Sequence, residues 1–284
     1  MTIILGTRGS ALALAQSRLV AAALGEDVAL QIIKTAGDAS TAPLSELGDG
    51  VFVTAIEDAL RRGEIDLAVH SLKDLPTAER GDLVIAAVPT RADPRDVLIT
   101  ATRGGLASLP RGASVGTSSP RRDAFLRLLR PDVTTRPIRG NVDTRLRKVL
   151  TGEYDGTMLA AAGLERLGIA FGAQEALDLA DVPPAPGQGA LAIQCRTADL
   201  ALRARLRPLD DADTRRAVTT ERALLAALGA SCALALGAYA RASGRLLILD
   251  AALADGELRR AHAEGDDPLR VATAAAEALG GVRV

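Results

Sequence analysis

The chain lacks tryptophan and has few aromatic residues of any kind, which make up 2% of its 284 residues. Proteins that hold single-stranded nucleic acid usually stack aromatic side chains on the bases, and proteins that bind duplexes usually carry a strong positive charge. Because the formal net charge is −1 as well, the composition argues against nucleic acid as a partner. The same charge argues against binding to an anionic membrane surface.

Long apolar runs and histidines are also scarce. Hydrophobic residues form 48% of the chain, but no run approaches the ~20 residues that cross a membrane, so we expect no membrane partner. The first ten residues, MTIILGTRGS, lack a basic segment and a cleavage site, and we expect no signal peptide. The two histidines, His70 and His262, are too few for a zinc site built on imidazoles, and we expect no metal.

The two cysteines, Cys195 and Cys232, do not make a disulfide framework. This cysteine usage is typical of a reducing compartment, and we expect a cytoplasmic protein. A lone cysteine is most often a small buried hydrophobic residue. Cys195, at the end of an apolar run, fits that interpretation, and spacing alone gives Cys232 the same one.

Positive charge is concentrated in one stretch, Ser114–Lys148. Between Arg121 and Lys148 the chain holds eight arginines and one lysine against three aspartates. The stretch alternates strand, small polar turn and helix twice. The first unit is Ser114–Gly116, the turn Thr117-Ser118-Ser119-Pro120 and a helix from Arg121; the second is Val133–Ile138, the turn Arg139-Gly140-Asn141 and a helix from Val142.

Four arginines lie in these two turns or in the first helical turn: Arg121, Arg122, Arg139 and Arg145. A helix N-terminus favours anions and repels cations. An arginine at this position is therefore better explained by binding an anionic ligand than by a structural role. Guanidinium groups bind carboxylates through two parallel hydrogen bonds. We therefore predict a site for a ligand with several carboxylates, while a solvated basic face remains the alternative.

Two other segments follow the same logic. Arg8 and Ser10 lie in a glycine-flanked turn between a short strand and a helix, where Ser10 is also suited to cap that helix. Lys73 and Asp74 follow the apolar run Ile65–Val69, which is typical of a buried parallel strand. Ligands of open α/β sheets bind at such strand ends. Plain helix capping by Ser10 and a surface ion pair between Lys73 and Asp74 stay open as alternatives.

The order of the predicted elements indicates an α/β protein with two lobes that flank a cleft, followed by a small α+β unit. Two crossings connect the lobes, one near Pro89–Asp96 and one in the proline-rich and glycine-rich segment Asp181–Gly189. We predict a discontinuous first domain of residues 1–92 and 188–210, a second domain of 93–187 and a third of 211–284. Two crossings allow the lobes to hinge.

Several motifs, in this order and spacing, resemble the porphobilinogen deaminase (hydroxymethylbilane synthase) family: GTRGSALALAQ, DLAVHSLKDLP, DPRDVLIT, VGTSSPRR, RGNVDTRL, AAGLERLG, PGQGALAIQCR and TTERALL. The resemblance implies two lobes of the type II periplasmic-binding-protein kind and a third domain that carries a cofactor cysteine. It implies a transferase of heme and other tetrapyrrole biosynthesis. Such an enzyme condenses four porphobilinogen molecules head to tail, loses one ammonia each time, and releases hydroxymethylbilane by hydrolysis.

The family's functional residues carry over residue by residue. The resemblance implies that a dipyrromethane cofactor is attached through a thioether to Cys232 and that Asp74 is the catalytic carboxylate. The other cofactor-binding residues implied are Lys73, Ser119, Arg121 and Arg122, and the substrate-binding residues implied are Arg8, Ser10, Arg139, Arg145 and Arg166. We also expect a monomer that hands its product to uroporphyrinogen III synthase.

Three departures from the family pattern concern the loops. Glu46 and Asp49 stand where the family usually has lysines, in a loop that is one residue shorter. Ser231 replaces the usual glycine before the cofactor cysteine, and Ala233-Leu234-Ala235 replace the polar residues and proline after it. The departures at Glu46 and Asp49 keep a second hypothesis open, a two-lobed receptor for small anions that does not catalyse. A nucleic-acid binder is the weakest hypothesis, for the compositional reasons above.

Overall fold

The structure is a computed structural model that describes residues 2–25, 27–35, 53–78, 81–101, 104–170, 173–229 and 234–281. In these ranges the strands, in chain order, are β1 Ile3–Thr7, β2 Val28–Ile32, β3 Leu67–Ser71, β4 Leu83–Ala87, β5 Asp96–Thr100, β6 Ser114–Gly116, β7 Thr134–Arg136, β8 Gly156–Ala160, β9 Gln174–Ala176, β10 Leu191–Arg196, β11 Leu236–Ser243, β12 Leu246–Ala254 and β13 Leu258–Gly265.

The α-helices in the same ranges are α1 Ala11–Leu24, α2 Thr54–Arg61, α3 Pro120–Leu129, α4 Val142–Leu150, α5 Ala161–Arg166, α6 Leu200–Leu206, α7 Ala212–Ala227 and α8 Pro268–Ala278. Short 3₁₀ turns span Leu72–Asp74, Leu106–Ser108 and Arg207–Leu209. Helix starts follow local chemistry. Ser10 and Ser119 accept hydrogen bonds from Ala13 N and Arg122 N as N-caps, and Pro120 occupies the first turn of α3, where its missing N–H is not needed.

The strands form three sheets. The first has the order β2-β1-β3-β10-β4 and the second the order β7-β6-β8-β5-β9, while β11-β12-β13 form a third, antiparallel sheet. In the first sheet β1 is parallel to β2 and β3, and β10 is antiparallel to β3 and β4. The second sheet repeats this design, with β6 parallel to β7 and β8, and β5 antiparallel to β8 and β9. The chain is thus α/β, as predicted.

The antiparallel strand of each large sheet follows a crossing between the lobes. β5 begins the second sheet after the first crossing, and β10 returns to the first sheet after the segment Asp181–Gly189. The third sheet packs against α7 and α8 around a core that includes Leu224, Leu249 and Ala275. The division into three sheets supports the predicted number of three domains. The exact domain boundaries stay a prediction.

One expectation about burial was wrong. Helix α1 is apolar nearly all round, which predicts a buried helix, but Leu19 is 55% exposed. The residues that α1 buries are Gln16, Ser17 and Val20. The helix covers one side of the first sheet and its other side is open to solvent. Periodicity did not reveal this, because α1 has almost no polar residues with which to mark an outer face.

Candidate active site

Both large sheets direct the carboxyl ends of their parallel strands toward the segments predicted to bind ligand. In the first sheet, Arg8 follows β1, and the 3₁₀ turn that ends at Asp74 follows β3. Arg8 and Asp74 line one small pocket together with Gln16, His70 and Ser71. Gln16 Nε2 donates to Ser71 Oγ over 2.9 Å, which fixes one wall of this pocket. The first lobe therefore presents a carboxylate and a guanidinium group at the same strand ends.

Ser10 has a structural role in this part of the site. Its Oγ accepts a hydrogen bond from Ala13 N at 3.3 Å, as the capping alternative requires. The hydroxyl also lies two residues beyond Arg8, at the same strand end. Its assignment to substrate stays a prediction.

Lys73 connects the two lobes. Its Nζ donates to Oε1 of Gln188, on the return crossing, over 3.2 Å. Solvent still reaches the side chain, but the pKa of Lys73 is lowered to about 8. The surrounding protein atoms are the largest cause, followed by the positive charge of Arg122, while Asp74 and Asp96 act in the opposite direction. Gln188 Nε2 continues the connection with a 2.9 Å bond to Asp96 Oδ1, at the start of β5.

Arg121 and Arg122 meet at this same buried carboxylate. Arg122 donates to Asp96 Oδ1 through Nη2 at 2.7 Å and through Nε at 3.1 Å. Arg121 Nη2 lies 2.7 Å from Asp96 Oδ2, in an ion pair whose angles are not those of a hydrogen bond. Burial alone would raise the pKa of Asp96, but the two guanidinium groups outweigh it and hold that pKa far below its usual range.

The side-chain nitrogens of the two arginines that do not contact Asp96 bind backbone carbonyls, except Arg121 Nε. Arg121 Nη1 donates to Pro183 O at 2.7 Å, and Arg122 Nη1 donates to Met158 O at 2.8 Å. Arg121 Nε is buried and has no hydrogen-bond partner in the described part of the chain. A buried donor without a partner is costly and rare in proteins. Their cofactor-binding role stays a prediction; in the described residues the side-chain nitrogens of both arginines are paired within the protein, except Arg121 Nε.

Arg139 and Arg145 come from the second strand–turn–helix unit. Arg145 Nε donates to Gly140 O over 2.8 Å, which folds the side chain back over the turn. The pKa of Arg145 is lowered to about 10, mainly by burial and in addition by the positive charges of Arg122 and Arg139. Arg122 and Arg139 therefore lie within electrostatic range of Arg145. The polyanion site itself stays a prediction.

Arg166, at the end of α5, reaches from the second lobe to the return crossing. Its Nη2 donates to Gly189 O over 2.7 Å, one residue beyond Gln188. Burial lowers its pKa. Arg166 thus lies on the same interlobe seam as Lys73, although in this structure its donor is used by protein backbone.

The predicted attachment residue, Cys232, lies outside the described residues. The departures at Glu46, Asp49, Ser231 and Ala233 do so too. The other cysteine is described: Cys195 is completely buried in β10. Burial raises the pKa of its thiol to about 11, so it exists as an unreactive thiol, in agreement with its interpretation as a hydrophobic core residue.

Asp96 and Gln188 belong to the site, yet residue-by-residue reasoning gave them no role. Asp96 stands before the apolar strand residues of DPRDVLIT, and Gln188 stands between two glycines in PGQG. A charged residue at the edge of a buried run is the signal that identifies Asp96, because such a carboxylate needs a cationic partner. Two such partners, Arg121 and Arg122, lie in the neighbouring basic stretch.

None of the helices in the described residues is long and apolar enough to cross a bilayer. No cluster of three or more histidine, cysteine and acidic side chains there has the arrangement of a metal site.

Comparison with known protein families places the chain. Residues 3–204 match the family model described as "Porphobilinogen deaminase, dipyromethane cofactor binding domain". Residues 215–281 match the model described as "Porphobilinogen deaminase, C-terminal domain". The chain belongs to the porphobilinogen deaminase family. It is accordingly a transferase of tetrapyrrole biosynthesis, as the motifs imply.

Curated relatives agree over most of their length. A porphobilinogen deaminase of Acidothermus cellulolyticus is 54% identical over 260 residues, which are 88% of this chain and 78% of the relative. One of Roseiflexus sp. is 46% identical over 289 residues, covering 98% of this chain and 95% of the relative. One of Mycobacterium leprae is 51% identical over 240 residues, with 84% and 76% covered.

Solved structures with a similar arrangement include a substrate-binding domain of a putative amino acid ABC transporter from Streptococcus pneumoniae. It is 12% identical, with a TM-score of 0.45, and covers 81% of this chain and 96% of that structure. The arginine-specific periplasmic binding protein of Salmonella typhimurium is 13% identical, with a TM-score of 0.41 and 73% and 91% covered.

Proposed function

We propose that this deaminase condenses four porphobilinogen molecules into hydroxymethylbilane in the cleft between its two large sheets. The observation that carries the proposal is the interlobe connection from Lys73 through Gln188 to Asp96, Arg121 and Arg122. It brings Lys73, the neighbour of Asp74, within electrostatic range of Arg121 and Arg122 of the second lobe. A receptor for a single small anion does not require so many cations.

The described side chains fit a polycarboxylate. Each porphobilinogen unit carries two carboxylates, so a dipyrromethane built from two units presents four. Asp96 can neutralise only one of the two arginines that it binds, and the cations of the site outnumber its two aspartates. Arg121 Nε supplies a buried donor for a ligand oxygen. Fixed cations in a partly enclosed cleft bind carboxylates more strongly than solvated ones.

Lys73, Ser119, Arg121 and Arg122 would hold the dipyrromethane, and Arg8, Ser10, Arg139, Arg145 and Arg166 the incoming substrate. The bound dipyrromethane supplies the pyrrole carbon to which the first substrate unit is joined. The attachment residue we propose is Cys232. This proposal is supported by the chemistry of the other cysteine. Cys195 is buried and its thiol pKa is raised to about 11, so it is not suited to attach a cofactor.

Asp74 is the residue we propose for charge control during each addition. Departure of ammonia from the aminomethyl group leaves a cationic electrophile, which a nearby carboxylate stabilises. The same carboxylate can accept the proton that the pyrrole ring loses after coupling. Asp74 is exposed at the pocket with Arg8, which leaves its oxygens accessible to a ligand.

The proposal is tested by incubating the purified chain with porphobilinogen and measuring substrate, ammonia and linear tetrapyrrole together. We expect one ammonia released for each porphobilinogen consumed and one tetrapyrrole for every four. Binding of porphobilinogen without release of ammonia would support the anion receptor instead.

Three further expectations are part of this proposal: a monomer, a cytoplasmic location and transfer of the product to uroporphyrinogen III synthase. Light scattering of the purified chain tests the first. A hand-off is tested by adding that synthase and asking whether uroporphyrinogen III forms without free hydroxymethylbilane accumulating in solution.

A further inference from the structure

A chain of three buried polar side chains lies behind the pocket that contains Asp74. His70 on β3, Gln194 on β10 and Glu57 on α2 are 6%, 5% and 2% exposed. His70 Nε2 lies 3.0 Å from Gln194 Oε1, and Gln194 Nε2 donates to Glu57 Oε1 over 3.1 Å. The functions proposed above give none of the three a role. Buried polar groups are costly unless they are hydrogen-bonded, and these three are bonded to one another.

The strand register explains how the three meet. His70 is paired with Ala192 and Gln194 with Ala68 across β3 and β10. Side chains two positions apart on a strand share a face, so His70 and Gln194 project from the same side of the sheet. Helix α2 covers that side, because Ala68 packs there against Ile56 and Leu60.

Glu57 determines which ring nitrogen of His70 carries the proton. Gln194 Nε2 donates to Glu57 Oε1, so the amide NH₂ of Gln194 faces Glu57 and its carbonyl oxygen, Oε1, faces His70. His70 Nε2 must then be the donor. Nδ1 remains as a lone-pair acceptor.

His70 also lines the pocket with Arg8, Ser71 and Asp74. Nδ1 has no hydrogen-bond partner in the described ranges of the chain. Burial lowers the pKa of His70 to about 4, so the imidazole is neutral at physiological pH. The pocket wall thus offers a neutral acceptor close to the charged acceptor of Asp74.

We propose that His70 is a further substrate-binding residue, whose Nδ1 accepts a hydrogen bond from the aminomethyl nitrogen that leaves as ammonia. The inference rests on the proposed condensation of porphobilinogen. The substrate has two N–H donor groups, the pyrrole N–H and the aminomethyl group. With the pyrrole N–H bound to Asp74, a neutral acceptor suits the aminomethyl group, because it orients the nitrogen without retaining the departing ammonia in an ion pair. Glu57 and Gln194 are positioning residues that fix the tautomer.

The tautomer can be read directly by NMR. The chain has two histidines, so long-range ¹H–¹⁵N spectra of labelled protein contain two ring systems, and a His262→Gln variant assigns them. We expect His70 to have a protonated Nε2 and an unprotonated Nδ1, unchanged across the range of about pH 5 to 8 in which ordinary histidines titrate. In Glu57→Gln we expect a mixture of tautomers. A protonated Nδ1 in the unmodified chain would overturn the proposal.

Two substitutions separate the ligand role from a structural one. The side chain of Gln places an amide near the position of Nε2 and that of Asn near the position of Nδ1. His70→Gln therefore keeps the contact with Gln194 and loses the acceptor, whereas His70→Asn keeps the acceptor and loses the contact. We expect His70→Gln to lower kcat/KM by about tenfold or more, with a smaller loss in His70→Asn, while thermal stability is lower in His70→Asn.

If His70 had only a structural role, the loss of activity would follow the loss of stability. His70→Asn would then have both the lower kcat/KM and the lower thermal stability, and this result would contradict the proposal. The same contradiction would follow from a kcat/KM of His70→Gln equal to that of the unmodified chain. Failure of the unmodified chain to consume porphobilinogen would instead refute the underlying function, and the NMR spectra would still report whether the tautomer is fixed.

Discussion

Single residues distribute charge unevenly across the cleft. Asp96 neutralises part of the arginine pair from within the protein, whereas Asp74 is exposed and shares its pocket with Arg8. The buried carboxylate therefore organises the cations, and the exposed one is available to substrate. This difference in environment is the basis on which we propose a structural role for Asp96 and a chemical role for Asp74.

Asp74→Asn tests the chemical role. The amide has nearly the same shape but can neither stabilise a cation nor accept a proton, so we expect kcat to fall by at least about 100-fold. Thermal unfolding should be unchanged, because the side chain is exposed. Asp213→Asn, at an exposed position in the first turn of α7, is the matched control. A variant at position 74 that retains more than half the rate would remove this residue from the mechanism.

Lys73 gives the cleft a pH dependence. Its lowered pKa of about 8 means that the ammonium group loses its charge as pH rises from 7 to 9. Because kcat/KM reports the free enzyme, we expect this quantity to fall across that range for the anionic substrate. In Lys73→Arg the charge persists. The ratio of kcat/KM for the two proteins cancels titration of the substrate itself, and we expect it to change by about tenfold; a constant ratio would contradict the assignment.

The sequence located the arginines better than it located their partners. The small polar turn at residues 117–120 predicted that Arg121 and Arg122 begin a helix, because turn signals of this kind are local. Asp96 is separated from them by more than twenty residues and lies on another strand, so only the fold brings the three together. Local patterns could not predict that the two guanidinium groups are largely occupied by a residue of the chain itself.

At the scale of elements, β11 docks on the return crossing between the lobes. Ala238 N donates to Pro184 O over 2.8 Å. A Cβ atom at Gly237 would lie 2.5 Å from Pro183 O, the carbonyl to which Arg121 also donates. The third sheet thus contacts the backbone that positions a site arginine, and this contact depends on a residue without a side chain.

Gly237→Ala should separate these elements. The added methyl group meets backbone that cannot move independently of Arg121, so we expect a loss of about 1–3 kcal/mol in the free energy of unfolding. Urea denaturation measures it. Gly81→Ala is the control, since a Cβ atom there meets nothing within 4 Å. Equal stability of the two variants would show that β11 and Pro183 are not in firm contact.

For the elements themselves, prediction worked where local chemistry decides. The start of α1 after Ser10 and the strand Ser114–Gly116 were predicted correctly. Helix α6 and strand β9 were not predicted. Strand β9 has three residues, all exposed, and therefore no hydrophobic pattern to detect.

At the scale of the whole molecule, one buried ion pair joins all three sheets. Arg91, on the first crossing, binds Glu221 of α7 over 2.6 Å and donates through Nε to Gln188 O over 2.8 Å. Glu221 also accepts from Gly187 N, on the return crossing, and from Ala240 N of β11. Both crossings and the third sheet therefore converge on a single carboxylate.

Glu221→Gln should weaken this convergence. The new NH₂ group would face N–H donors that now bind the carboxylate, among them Gly187 N and Ala240 N. Arg91 would keep a buried charge without its counter-ion. Breaking such a pair costs about 3–5 kcal/mol. Chemical denaturation of the variant should show a loss of this size, against no change for Glu277→Gln at an exposed position of α8. A loss below 1 kcal/mol would mean that the crossings are held by other contacts.

The central claim is that this cleft holds a pyrrole polycarboxylate tied to one sulfur, Cys232. The most direct test is intact-protein mass with peptide mapping, before and after incubation with porphobilinogen. We predict the added mass of one dipyrrole on the peptide that contains Cys232, present also in Cys195→Ala and absent from Cys232→Ala. An adduct on Cys195, or no adduct on the unmodified chain even after incubation, would contradict the account.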